Sequence, residues 1–99
     1  MPKPYHYDRK VHRDDPVLNA IVNFYEDLDG VQALICDGEP GRAKAESAAA
    51  VLRLNLVLSP DCVREFSVSI NPVGRLETFI HYVDPFGEMR LTYTARQPR

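Results

Sequence analysis

The chain of 99 residues lacks the short motifs that usually announce chemistry. There is no Walker A loop, no GxGxxG, no HExxH, no GxSxG and no EF-hand loop, which removes the standard signatures for phosphate cradles, zinc hydrolysis, activated serines and calcium sites. Cysteine is scarce too. Cys36 and Cys62 are the only two, with no CxxC and no His at metal spacing, so neither a disulfide framework nor a zinc site is indicated. Both thiols are expected to be small buried hydrophobes in a reduced, cytoplasmic setting, since no signal-like segment opens the chain. No apolar run approaches the roughly 20 residues that span a bilayer, so no membrane association is expected. Excess charge is also missing: the formal net charge of −2 argues against a general binder of polyanions, although a local basic patch escapes a bulk number.

What is present reads as one soluble domain covering 1–99, with apolar and charged fractions of 44% and 26% that suit a globular chain with a modest core. Its clearest pattern lies between Ser59 and Ala95. Three runs of alternating apolar and polar residues are separated by Ser59-Pro60, Asn71-Pro72-Val73-Gly74 and Asp84-Pro85-Phe86-Gly87. Asx, then Pro, then Gly at the fourth position favours a type I turn, so the stretch predicts a β-meander.

Alternation assigns the faces. Phe66, Val68, Ile70, Leu76, Ile80, Tyr82, Met89, Leu91, Tyr93 and Ala95 form an oily side. A three-residue first loop with Gly74 as a bulge pairs Ile70 with Leu76 and Phe66 with Ile80. The same loop in the second hairpin would divide the apolar set between faces, so a four-residue loop is expected there, pairing Tyr82 with Met89 and Ile80 with Leu91.

Upstream, Asp14-Asp15-Pro16 has the chemistry of a helix start, and Leu18, Ile21, Val22, Tyr25 and Leu28 recur at helical spacing. The expectation is a helix over 16–29 that ends at Gly30 and packs across the sheet. Val31 to Cys36 reads as a short strand, and 37–41 as a connecting loop. Arg42 to Ala50 favours helix by propensity. Leu52, Leu54, Leu56 and Leu58 alternate strictly with Arg53, Asn55 and Val57, which predicts a further strand. If the helix runs on to Leu58 instead, the chain becomes two helices and a three-stranded meander.

The expected fold class is therefore α+β, an antiparallel β-meander of about four strands in the C-terminal half with one or two helices on one face. Residues 1–13 form a flexible or edge-strand arm, and 96–99 a frayed tail. Extended geometry would put His6, Asp8, His12 and Asp14 on one side of that arm, but free ends hold no metal rigidly, so no metal site is assigned. Cys62 and His81 can share the sheet, yet parity turns His81 away from the core, and no catalytic residue is assigned.

The functional candidate is the second side of the sheet. Phe79, His81 and Val83 stand there on the middle strand, with Ser67 and Ser69 to one side and Arg90, Thr92 and Arg96 to the other. Aromatic and Arg anchors of this kind suit a partner-binding surface. The reading is a small cytoplasmic protein without a cofactor, non-enzymatic, acting by recognition of another protein as an inhibitor, immunity, chaperone or adaptor protein does, with a homodimer as one form of that binding. The alternative is a single-stranded nucleic-acid or DNA-binding module using the open sheet face or a basic arm of Arg9, Lys10 and Arg13.

Overall fold

A computed structural model describes residues 15–97. In chain order they form α1 (Pro16–Cys36), α2 (Pro40–Asn55), β1 (Val63–Ile70), β2 (Leu76–Asp84) and β3 (Gly87–Thr94). The class is α+β, with the sheet antiparallel in the order β1-β2-β3 and the helices packed on it. Three strands are found among the described residues, one fewer than the alternation of leucines implies.

Helix α1 starts as its sequence dictates. The Asp15 carboxylate accepts from the backbone N–H groups of Val17 (2.9 Å) and Leu18 (3.2 Å), and Pro16 occupies the first turn, where its missing N–H costs nothing. The expected stop at Gly30 does not occur. Leu28, Val31 and Gln32 are all buried, so the core-facing stripe continues through the glycine and outweighs its intrinsic penalty of about 1 kcal/mol. The residues read as a strand, Val31 to Cys36, are the final turns of this helix. Gly38 is the actual stop: at φ 77° it donates to the Ile35 carbonyl while Glu39 donates to that of Leu34, the paired bonds of a Schellman cap.

The expected strand over 52–58 is also helical. Propensity carries α2 from Pro40 to Asn55, and its last turn closes through bonds from Leu56 to Leu52 and from Leu58 to Leu54. A strand would have placed all four leucines on one face. The helix splits them into two pairs, with Leu54 and Leu58 buried beside Ala43 and Ala50, and Leu52 and Leu56 exposed at 68% and 86%. This is the two-helix, three-strand arrangement that the sequence offers as its other solution.

The meander keeps the expected register. Ile70 faces Leu76 and Phe66 faces Ile80 across the first hairpin, while Tyr82 faces Met89 and Ile80 faces Leu91 across the second. At the first turn the Asn71 carboxamide accepts from Val73 (3.1 Å) and Arg75 (2.9 Å), and Gly74 takes the positive φ of 84° that the bulge demands. The second loop is tighter than expected. Asp84 pairs with Gly87, leaving only Pro85 and Phe86 in the turn, and the Asp84 carboxylate accepts from Phe86 (2.9 Å) and Gly87 (3.0 Å).

Helix α1 lies across all three strands on their oily side. Phe24 meets Phe66 of β1 with ring centroids 5.7 Å apart, and Tyr25 stacks on Tyr93 of β3 at 4.2 Å. About two turns further along α1 the buried Gln32 accepts from the Leu76 N–H at 2.8 Å and donates to the Gly74 carbonyl at 3.2 Å, tying the helix to the first turn. Buried polar groups persist only when paired, and this one uses both ends of its amide. Thr78, the polar residue on the oily side of β2, is also paired, its hydroxyl donating to the Ser67 carbonyl at 2.9 Å.

Candidate sheet-face interface

The middle strand shows how the site is placed. Along β2, Leu76, Thr78, Ile80 and Tyr82 are buried under the helices, while Glu77, Phe79, His81 and Val83 alternate with them and are only half-buried. Period-two geometry makes these two rows opposite faces of one strand. Among the described residues no helix or strand covers the second row.

Cross-strand pairing then builds a patch around Phe79. Ser67 and Thr92 flank it on β1 and β3, Glu65 and Arg90 flank His81, and Glu88 stands opposite Val83. Five of the six residues expected to meet a partner, Phe79, His81, Val83, Arg90 and Thr92, thus occupy adjoining positions. Arg96 lies elsewhere. Its backbone N–H donates to the Asp29 carboxylate at 2.8 Å, and its side chain contributes to the surroundings of the Tyr93 hydroxyl, on the α1 side of the sheet. The chain beyond β3 is held by the helix, so strand parity no longer governs this residue.

Glu88 was missed by sequence reasoning, although it shares the parity of Arg90 and Thr92. Its carboxylate lies 2.9 Å from His81 Nε2 and 3.8 Å from the Arg90 guanidinium. The His81 hydrogen bond, aided by the positive charge of Arg90, lowers the Glu88 pKa below its ordinary value. The patch is an apolar and aromatic row, Phe79 and Val83, beside Glu88, which is hydrogen-bonded to His81 and ion-paired with Arg90.

The mixture of charges matters for the choice of ligand. Glu65, Glu77 and Glu88 share the face with Arg90, and Asn71 donates to Glu77 at 2.8 Å. Phosphate binding needs accumulated cations, and this face offers more carboxylates than guanidinium groups. The proposed basic arm of Arg9, Lys10 and Arg13 lies outside the described residues, as do His6, Asp8, His12 and Asp14.

The described residues contain no group of three or more His, Cys, Asp or Glu placed to hold a metal ion. None of their helices is long and apolar enough to cross a membrane. Both cysteines are free thiols; Cys62 is half-buried, whereas Cys36, expected inside, is exposed at the end of α1. Burial, with the Cys62 thiol close by, pushes the Tyr82 pKa above its usual value.

No protein family, curated protein or solved structure matches the chain.

Proposed function

We propose that this is a small cytoplasmic, non-enzymatic protein that recognises another protein through the open face of its sheet. The observation that carries the reading is the partly buried row Phe79–His81–Val83, aligned on the central strand with no described helix or strand over it. Central strands supply the most rigid platform in a small sheet, and an aromatic flanked by polar residues is the composition of an interface core with its rim.

A protein partner is favoured over a nucleic acid by the surplus of carboxylates on this face. A single, half-buried aromatic there also falls short of the stacked series that single strands use. Inhibitor, immunity, chaperone and adaptor proteins all work by such a surface without a cofactor.

Affinity capture with the wild-type chain, followed by reconstitution of the complex from purified components, tests the reading. The reconstituted partner should bind the wild type and lose at least tenfold in affinity to Phe79→Glu, with the melting temperature of the free variant nearly unchanged. Undiminished binding by Phe79→Glu overturns the assignment of the face. Oligonucleotide affinity that falls steeply with salt would establish the nucleic-acid alternative in its place.

A further inference from the structure

The outer surface of α2 carries a second pattern that the sheet face does not use. Ala45, Ala49, Leu52 and Leu56 recur at spacings of four, three and four, the seam of a coiled coil, and they point away from Ala43, Ala50 and Leu54 on the buried side. No charge stands on this line. Leu52 is 68% exposed and Leu56 86%, the reverse of a surface helix, which puts charge opposite its apolar stripe.

The order of sizes names the occupant. Small residues fill the first half of the seam and leucines the second, and the pairs Ala45–Leu56 and Ala49–Leu52 share one midpoint, between Ala50 and Val51. A two-fold axis opposite that midpoint sets each leucine of one helix over an alanine of the other, large against small along the whole contact. An unrelated partner has no reason to require such symmetry; an isologous interface does. Charge agrees. Glu46 and Arg53 flank the same side of the seam seven residues apart, and an antiparallel two-fold brings Glu46 to within about two residues of axial rise, roughly 3 Å, of Arg53 from the second copy. Arg53 already reaches Asp27 of its own α1 at 3.2 Å, which holds the guanidinium on that flank.

We propose that the protein forms a two-fold homodimer through antiparallel packing of α2 against α2 of a second copy. Apolar surface continues beside the seam, where Ala48 joins Ile35, Pro40 and the exposed Ile70 around a groove of about 460 Å³. A single helix pair buries less than the ~800 Å² per partner of a standard interface, so the dimer should be weak and its population should depend on concentration. It shares no residue with the sheet face and stands or falls separately from the recognition proposed there.

Sedimentation velocity on the intact chain, from about 1 to 300 µM, tests the proposal. The expected result is a shift from the 11.2 kDa species to twice that mass. Leu52→Glu and Leu56→Glu, at positions exposed in the single chain, should each weaken dimerisation at least tenfold while the melting temperature of the dilute protein stays within a few degrees. Glu46→Arg should weaken it by setting like charges together, and Glu46→Arg with Arg53→Glu should restore it. A wild type that stays at the single-chain mass throughout overturns the proposal, as does a dimer that survives Leu52→Glu. Failure of the double reversal to restore association, in a variant that still melts cooperatively, overturns the antiparallel register.

Discussion

The Tyr93 hydroxyl donates to both oxygens of the Asp29 carboxylate, at 2.8 and 3.0 Å, joining residues 64 positions apart. The same carboxylate takes the backbone N–H of Arg96, so one acid on α1 fastens both the last strand and the chain that leaves it. Tyr93→Phe keeps the ring stack on Tyr25 and removes only the hydroxyl. The expected loss is about 1–2 kcal/mol, at the lower end for a charge-assisted bond because both partners are half-exposed. The urea midpoint at constant m-value measures it.

Alkaline pH should attack the same clamp. Burial first, then the bond to Asp29 and its negative charge, raises the Tyr93 pKa above 10, and burial raises Tyr82 likewise. A raised folded-state pKa means that the folded chain holds its proton more tightly than the unfolded one. The associated stability is complete below the unfolded value of about 10 and is lost as pH climbs through the folded values. Melting temperatures recorded between pH 8 and 12 should fall beyond pH 10. Tyr93→Phe, though less stable at pH 8, should show a shallower decline.

Glu88 acts in the opposite direction. Its pKa is lowered by His81 and Arg90, so its contribution exists above the ordinary carboxylate value of 4.5 and disappears as pH falls through the lower folded value. Glu88→Gln should flatten the acid limb of a stability profile between pH 5 and 3 without changing the alkaline limb. An unaltered acid limb would show that the His81–Glu88 contact has no energetic consequence in solution.

Gln32 offers a sharper test of the fold. Replacing it with Leu strands the buried Leu76 N–H and removes the donor to Gly74, although Leu is the more hydrophobic side chain. A loss of about 2–3 kcal/mol is expected. In a domain of this size that lowers the melting temperature by roughly 10–20 °C, readable by circular dichroism. A neutral Gln32→Leu would mean that packing, not the amide, joins α1 to the first turn.

Neighbouring leucines separate helix from strand. Leu54→Ala should cost about 2–5 kcal/mol, since it opens a cavity in the core. Leu52→Ala, two residues away, should fall within about 0.5 kcal/mol in dilute solution. A strand over 52–58 would have made the two equivalent. Denaturant titrations of both variants decide it.

These contrasts show why some of the molecule was legible in advance. In the meander the face of each residue, the turn chemistry of Asn71 and Asp84, and the register all follow from local rules that agree, so Phe66, Ile80 and Leu91 fall where alternation puts them. The N-terminal half needed a comparison of competing signals. Gly30 looks like a stop only until the buried Val31 and Gln32 beyond it are weighed. The leucines from 52 to 58 satisfy a period of two and, taken as Leu54 with Leu58 and Leu52 with Leu56, a spacing of four. Nothing local decides between these; the alanine-rich run before them, and the core under Ala43 and Ala50, does. At the candidate interface, alternation placed Phe79, His81 and Val83, and carried two residues back from Arg90 on β3 it would have found Glu88. Arg96 could not be placed that way, because a carboxylate on α1, distant in sequence, holds the chain there.

The Schellman cap at Gly38 lets only Asp37, Gly38 and Glu39 separate the two helices, and the three strands pair strictly in sequence order. Each half can therefore assemble by closing small loops alone. Only their docking, through links such as Gln32 to Leu76 and Asp29 to Tyr93, must search across forty residues or more. The folding rate of such a chain should be set by the moment when the helical hairpin meets the sheet.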